Sequence, residues 1–398
     1  MGLKDFKIVF DNPWNTYYPG QTVTGNIVLV LDSTKKIRGI RVSVKGAADT
    51  CWTTDKQEMD ERGQYRDETQ TVTAHEEYFE TKYYLVGSAS GGEIEIQSGE
   101  HKFFFQCALP MNIPSSFESD FGHIRYIVKA TLDRPWKFDH DVKSPFTVIS
   151  PLDLNQQPRA AEPIKEEMSK TFCCLCCASG PLTVNYSLPV RGFVPGQSMP
   201  IKINVENSSG ITVEKIKLVL CKVVTLRATT PQPDTKTEEI VVAELSKGPV
   251  DSGTVAEYEQ KLEVPSIPPS NLTNCGIIDL EYNLKVEACV SGWYYPNLKG
   301  QTLVYVGSIP LVSYETPSAP PAPEDSPTKP GWVSPSSAGD VIPEISSSNL
   351  YPNLPPPSYE ESIYGARSLW ERGESDHIFG VDKRFAPRYP VYNFAPVQ

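Results

Sequence analysis

In the stretch Ile37-Arg38-Gly39-Ile40-Arg41-Val42-Ser43-Val44, apolar side chains recur at every second position from Ile40 onward. That period places Ile40, Val42 and Val44 on one face and Arg41, Ser43 and Lys45 on the other, the pattern of a half-buried β-strand. A polar turn, Asp32-Ser33-Thr34-Lys35-Lys36, precedes it. Further upstream Phe6, Ile8 and Phe10 alternate with polar neighbours, Tyr18-Pro19-Gly20-Gln21 reads as a turn, and Val23, Ile27 and Leu29 follow with near-alternation. Downstream, strands are expected at 77–86, 101–109, 124–132 and 146–149. Proline and glycine interrupt every window long enough for a helix, so many short strands between turns predict a β-sandwich.

The second half repeats the first. Pro19-Gly20-Gln21-Thr22 aligns without a gap with Pro195-Gly196-Gln197-Ser198, an offset of 176 residues. The same offset pairs Ile27 with Ile203, Leu29 with Val205, Ile37 with Val213, Ile40 with Ile216, Val42 with Leu218 and Val44 with Leu220. A later block pairs Leu109-Pro110 and Pro114-Ser115 with Val264-Pro265 and Pro269-Ser270, then Tyr126, Val128 and Lys129 with Tyr282, Leu284 and Lys285. Inward positions are kept while outward ones differ, as in two copies of one core. The period is far too long for a solenoid, so the copies are tandem domains. The expected fold is all-β: a sandwich over 1–155, a polar linker over 156–170, a second sandwich over 171–314 and a disordered proline-rich tail over 315–398.

Bulk properties narrow the function. The formal net charge of −12 argues against nucleic-acid binding, which needs a basic footprint. No apolar run approaches the roughly 18 residues that span a bilayer, and the start of the chain lacks a signal-peptide apolar region. A cytosolic protein, peripheral where it meets membranes, is expected, with the nine cysteines as thiols. Asn207-Ser208-Ser209 and Asn271-Leu272-Thr273 then read as ordinary loop residues despite matching glycosylation sequons. Catalysis finds no constellation: His75, His101, His123, His140 and His377 are scattered, and no phosphate-binding loop, Gly-x-Ser-x-Gly or His-Glu-x-x-His occurs. No cofactor is implied. Lys35, Lys36, Arg38, Arg41 and Lys45 form a basic outward patch, suited to anionic lipid or acidic cargo tails, or simply a solvated face.

The tail carries the ligands. Fifteen of the chain's 36 prolines lie from Pro317 onward. A coil of that length reaches about 50 Å root-mean-square. Leu354-Pro355-Pro356-Pro357-Ser358-Tyr359-Glu360-Glu361 contains Pro-Pro-x-Tyr at Pro356, Pro357 and Tyr359. Such a segment pre-sets polyproline II geometry for an aromatic-lined WW groove and offers a tyrosine to a neighbouring pocket. A degenerate second region, Ala386-Pro387-Arg388-Tyr389-Pro390-Val391-Tyr392, has Ala386 where the first proline belongs, so Pro387, Tyr389 and Tyr392 make a weaker WW-like site. Pro317-Ser318-Ala319-Pro320 matches the Pro-Ser/Thr-Ala-Pro ligand of the ESCRT-I sorting complex, with a plain proline-rich linker as the other reading. Tyr351-Pro352-Asn353-Leu354 fits the loose tyrosine motif of clathrin adaptors. Cys173, Cys174, Cys176 and Cys177 admit three readings: metal ligands, S-palmitoylation sites, or cysteines on the first strand of the second domain. Five consecutive residues do not readily wrap one tetrahedral zinc ion.

Two tandem sandwiches and a Pro-Pro-x-Tyr tail resemble the alpha-arrestins, the arrestin-domain-containing proteins. The resemblance rests also on Tyr18-Pro19-Gly20-Gln21, on Pro151-Leu152-Asp153-Leu154-Asn155 at the junction, on the Phe172–Cys177 run and on Val306-Gly307-Ser308-Ile309-Pro310-Leu311. It implies a non-enzymatic adaptor whose body engages membrane receptors or transporters. Its tail would recruit WW-domain HECT-type ubiquitin ligases, so that cargo is ubiquitinated, endocytosed and sorted through endosomes. The expected location is the cytoplasm, with recruitment to plasma membrane and endosomes. Two departures stand out: one clean motif where members often carry two, and Ser252-Gly253-Thr254-Val255, where Val255 replaces the cysteine of the thioredoxin-interacting branch. A cysteine-based redox or metal-binding regulator is the alternative function.

Overall fold

The structure, a computed structural model, describes residues 2–59, 65–135, 138–172, 180–314, 357–363, 368–369, 378–381 and 384–394. Both halves are two-layer sandwiches, antiparallel except for one short parallel edge strand in each larger sheet. In the first, a sheet of Leu3–Phe10, Thr22–Leu31 and Gly99–Ala108 faces one ordered Thr16–Tyr17, His140–Val148, Gly122–Asp133, Gly39–Met59 and Tyr65–Gly87. In the second, Ile164–Lys170, Leu182–Leu188, Ser198–Asn207 and Thr254–Glu263 face Gly192–Phe193, Leu298–Val306, Ile278–Val290, Val213–Ala228 and Asp234–Lys247. Alternation drives this arrangement: Ile278–Val290 buries every second side chain along its length. Among the described residues no helix is long and apolar enough to cross a membrane.

The internal repeat is structural. Every apolar pair aligned between the halves, from Ile27 and Ile203 to Val44 and Leu220, lies in the core. The Tyr126 hydroxyl donates to the Pro114 carbonyl at 2.7 Å, and the Tyr282 hydroxyl donates to Pro268 at 2.8 Å. The Ser116 hydroxyl accepts from the Val148 N–H, as the Ser270 hydroxyl accepts from Val306. These bonds shift the proline-serine alignment by one residue. Pro114 corresponds to Pro268 and Ser116 to Ser270, because the position is set by which carbonyl meets the tyrosine and not by the proline itself.

Three features differ from the sequence reading. Residues 164–170, assigned to the linker, form the strand Ile164–Lys170, which pairs antiparallel with Leu182–Leu188 as an edge of the second sandwich. Only Ile164 and Met168 of that strand are buried, so its single-sided apolar signal is thin amid glutamates and lysines. The tail also departs from the disordered expectation wherever it is described: Ile378–Phe379 pairs parallel with His140–Val148, and Ser358–Glu361 pairs antiparallel with Arg388–Val391. Asn207, read as a loop residue, is buried. Its side-chain amide donates to the carbonyls of Ile211, Val250 and Asp251.

The domains meet through polar as well as apolar contacts. Thr50 donates to the Arg227 carbonyl at 2.8 Å, the Trp52 indole N–H donates to Asp234 at 2.9 Å, and the Leu152 N–H donates to the Ser308 hydroxyl at 2.8 Å. Lys222, 1% exposed, lies with its ammonium 5.4 Å from the centre of the Phe117 ring of the first domain. Burial pulls that ammonium down to about 8.

Two outcomes are expected. Tyr126→Phe and Tyr282→Phe each strand a buried proline carbonyl, so each should cost about 1–2 kcal/mol, with matched drops in thermal midpoint. For Lys222 the folded state holds the proton less tightly than the unfolded chain. Protonation therefore opposes folding fully below about pH 8 and progressively less as the pH rises towards 10.5. Lys222→Met should stabilise the protein at pH 7 by roughly 1–3 kcal/mol, and melting curves should show that gain shrinking at pH 10.

Candidate functional site

Of the Pro-Pro-x-Tyr motif, Pro357 and Tyr359 are described, while Pro356 lies outside the described residues. Tyr359 is half-buried on the strand Ser358–Glu361, opposite Pro390. Its hydroxyl pairs with that of Tyr18 at 2.9 Å, and its ring centre lies 6.2 Å from that of Trp14. Around it, Arg388 reaches Glu361 at 3.2 Å, and the Ser266 hydroxyl donates to the Glu360 carbonyl at 3.1 Å.

The second WW-like region is the deeper anchor. Pro387 is buried, Tyr389 is 1% exposed and Tyr392 is 7% exposed. The Tyr389 hydroxyl donates to the Ser116 carbonyl of the first domain at 2.9 Å, and the Arg388 N–H donates to the Thr147 hydroxyl at 3.1 Å. The Tyr392 hydroxyl donates to the Ser308 carbonyl at 3.0 Å, and its N–H donates to the Pro195 carbonyl at 3.1 Å. Desolvation, with Glu118 adding to it, pushes the Tyr389 phenol well above its ordinary range, so it stays a neutral donor. Tyr389 and Tyr392 thus bridge the two domains, with Pro387 buried beside them in sequence.

The duplicated turns explain where the tail lands. In each, glycine takes a left-handed φ, +82° at Gly20 and +89° at Gly196, while the glutamine side chain accepts a backbone N–H, Tyr18 to Gln21 and Val194 to Gln197. Tyr359 caps the first turn at Tyr18, and Tyr392 seats on the second. A Cβ at Gly196 would lie 2.0 Å from the Tyr392 carbonyl oxygen, so the close approach needs glycine as much as the φ does. Sequence reasoning missed Trp14, Tyr18, Ser116, Thr147 and Ser308 as tail contacts. The available signal was the three aromatics Tyr389, Tyr392 and Phe394 within one proline-rich segment.

Other candidates resolve unevenly. Cys173, Cys174, Cys176 and Cys177, the tetrapeptide Pro317–Pro320 and the tyrosine motif at Tyr351–Leu354 lie outside the described residues. Among the described residues, no three His, Cys, Asp or Glu side chains converge as a metal site. Burial raises the thiols of Cys107, Cys221 and Cys275, with Cys221 at about 11, which disfavours thiolate at neutral pH. In the basic patch Lys36 pairs with Glu93 and Glu95, Arg38 with Asp133 at 2.7 Å, and Lys45 with Glu77 at 3.0 Å. Most of its charge is met by neighbouring acids.

The family model described as Arrestin (or S-antigen), N-terminal domain, matches residues 6–155, and that for the C-terminal domain matches 178–311. Arrestin domain-containing protein 17 of Caenorhabditis elegans is 29% identical over 98% of this chain and 99% of its own length. Arrestin domain-containing protein 1 of Rattus norvegicus is 30% identical over 80% of this chain and 67% of its own. Arrestin domain-containing protein 4 of Mus musculus is 27% identical over 78% and 74%. Two arrestin domains in the right order, on the duplicated sandwiches described above, place this chain in the alpha-arrestin family of arrestin-domain-containing proteins.

Proposed function

We propose that the protein is a non-enzymatic adaptor that joins membrane receptors or transporters to WW-domain HECT-type ubiquitin ligases. The observation that carries this is Pro356, Pro357 and Tyr359 in a tail appended to two arrestin domains. The body engages cargo and the tail delivers the ligase. A ligase held on a tether meets cargo at high effective concentration, so even modest WW affinity suffices for transfer to nearby lysines. Ubiquitinated cargo then enters endocytosis and endosomal transport, with Pro317–Pro320 as an additional ligand for ESCRT-I. The site of action is the cytoplasmic face of the plasma membrane and endosomes, reached by peripheral association.

Support for the adaptor class comes from family membership, which favours a scaffold over a catalyst.

Capture of ligase WW domains on the immobilised full chain tests the reading. Tyr359→Ala empties the tyrosine pocket of the WW groove and should weaken capture by about tenfold or more. Capture that survives both Tyr359→Ala and deletion of residues 315–398 would sink the proposal. Proximity labelling in cells adds a second arm: the ligase should leave the labelled set of Tyr359→Ala while cargo stays.

A further inference from the structure

The proposed WW contact and the contacts seen in this structure place competing demands on Tyr359. A WW groove takes the tyrosine of Pro-Pro-x-Tyr into its own pocket, with the preceding prolines laid in polyproline II geometry. Here the same ring faces Trp14, its hydroxyl is bound to Tyr18, and its backbone lies in a strand against Arg388–Val391. One ring cannot occupy both pockets. We propose that the domain junction is a binding site for an extended, tyrosine-bearing peptide, that its resident occupant is the chain's own tail, and that it competes with WW domains for Tyr359. This rests on the ligase reading above and adds a level of control to it.

The site is built, and it has a strong half and a weak half. Tyr389 and Tyr392 are buried and bridge the two domains through the Ser116 and Ser308 carbonyls. Tyr359, only half-buried, is held by one hydroxyl pair, one ring contact and a four-residue strand laid on the anchored segment, and that strand is tied down further by the Ser266–Glu360 hydrogen bond and the solvent-exposed Arg388–Glu361 ion pair. Residues 357–363 therefore peel away at lower free energy than 387–392, since they bury less apolar surface. Ligase capture requires that local opening. The affinity of a WW domain for the intact chain is the affinity for the free motif multiplied by the fraction of time Tyr359 is free. By linkage the effect is reciprocal: a bound WW domain removes the strand partner of Arg388–Val391 and loosens the clamp across the domain junction.

Two measurements on the intact chain decide it. Isothermal titration of an isolated ligase WW domain is compared between the full chain and a synthetic peptide of residues 351–364. Hydrogen exchange is followed at the strand-paired amides within Ser358–Glu361 and at those of Tyr389 and Val391, since Pro390 has no N–H. The free peptide should bind about fivefold or more tightly than the full chain. Trp14→Ala and, separately, Tyr18→Phe should move the full chain towards the peptide value. Trp14 is 49% exposed and Tyr18→Phe removes only a hydroxyl, so both variants keep the fold. Both amide sets should be protected in the free protein and exchange faster once the WW domain is added. Unprotected amides at Ser358–Glu361 would overturn the docking whatever the WW domain does. Protection together with equal affinities for chain and peptide would overturn the competition and leave the ligase reading standing. A peptide that binds no WW domain would overturn the ligase reading and the competition together.

Discussion

The structure depends on a turn that requires a left-handed residue. At Gly20 and Gly196 the backbone enters a region that L side chains rarely adopt, which lets the following glutamine fold back and accept an N–H from the start of its own turn. The turn fixes how the chain enters the strands Thr22–Leu31 and Ser198–Asn207, and those strands lie at the centre of the smaller sheet in each sandwich. The glutamine carbonyls then accept the N–H groups of Leu109 and Val264, tying each turn to the end of the neighbouring strand of its own sheet. Duplicating the domain duplicated this device. The second copy acquired a further constraint, the backbone of Tyr392 seated against Gly196, where any Cβ would collide. Gly20 carries no such contact: its Cβ would meet the flexible Met111 side chain. The same turn is thus a fold determinant once and a fold determinant plus a docking site once.

Fold was legible where burial is one-sided and local. Ile40, Val42 and Val44 announce their strand because a period of two survives on one face while the other meets water, and the partners 176 residues on announce the second copy for the same reason. The edge strand Ile164–Lys170 was hidden because an edge needs few apolar residues: its backbone pairs on one side only, and charged side chains keep the other from adding strands. The tail was hidden for a different reason. Its composition argues correctly that it forms no core of its own. Yet Tyr389 and Tyr392 are buried by surfaces more than 70 residues away in sequence, a distance no local pattern encodes. The motif at Tyr359 was visible because a linear ligand is local by nature, whereas its counterparts Trp14 and Tyr18 form a surface only after folding.

The degenerate second motif takes on a different meaning from its chemistry. Losing a proline at Ala386 weakens polyproline II preorganisation, which is a defect in a WW ligand. For a segment that must form a strand against Ser358–Glu361, preorganisation as polyproline II has no value. What counts is that Tyr389 and Tyr392 each find a carbonyl for their hydroxyl while burying their rings. Both are met here, and the buried hydroxyls are satisfied, so the desolvation that would otherwise oppose burial is offset. Pro390 fits as well, since its missing N–H and fixed φ are tolerated in a two-stranded ribbon where it has no further strand to donate to.

A single accessible Pro-Pro-x-Tyr motif would ordinarily be weaker than a pair, because the second site's effective concentration is lost. In this chain the second tyrosine cluster acts on the first in the opposite direction. It holds the partner strand of Tyr359 against the body and so lowers the free population of the motif it would otherwise reinforce. The same geometry couples two surfaces that a freely jointed tail would leave independent. Tyr389 contacts the first domain, Tyr392 the second, and the pairing of Glu360 with Tyr389 joins the motif to both. A change in the relative position of the domains alters the junction that Tyr389 and Tyr392 bridge, and with it the strand on which Tyr359 rests. Any ligand that binds the two domains differently in the docked and undocked forms therefore shifts the availability of Tyr359 by its differential affinity for the two, and by no more than that.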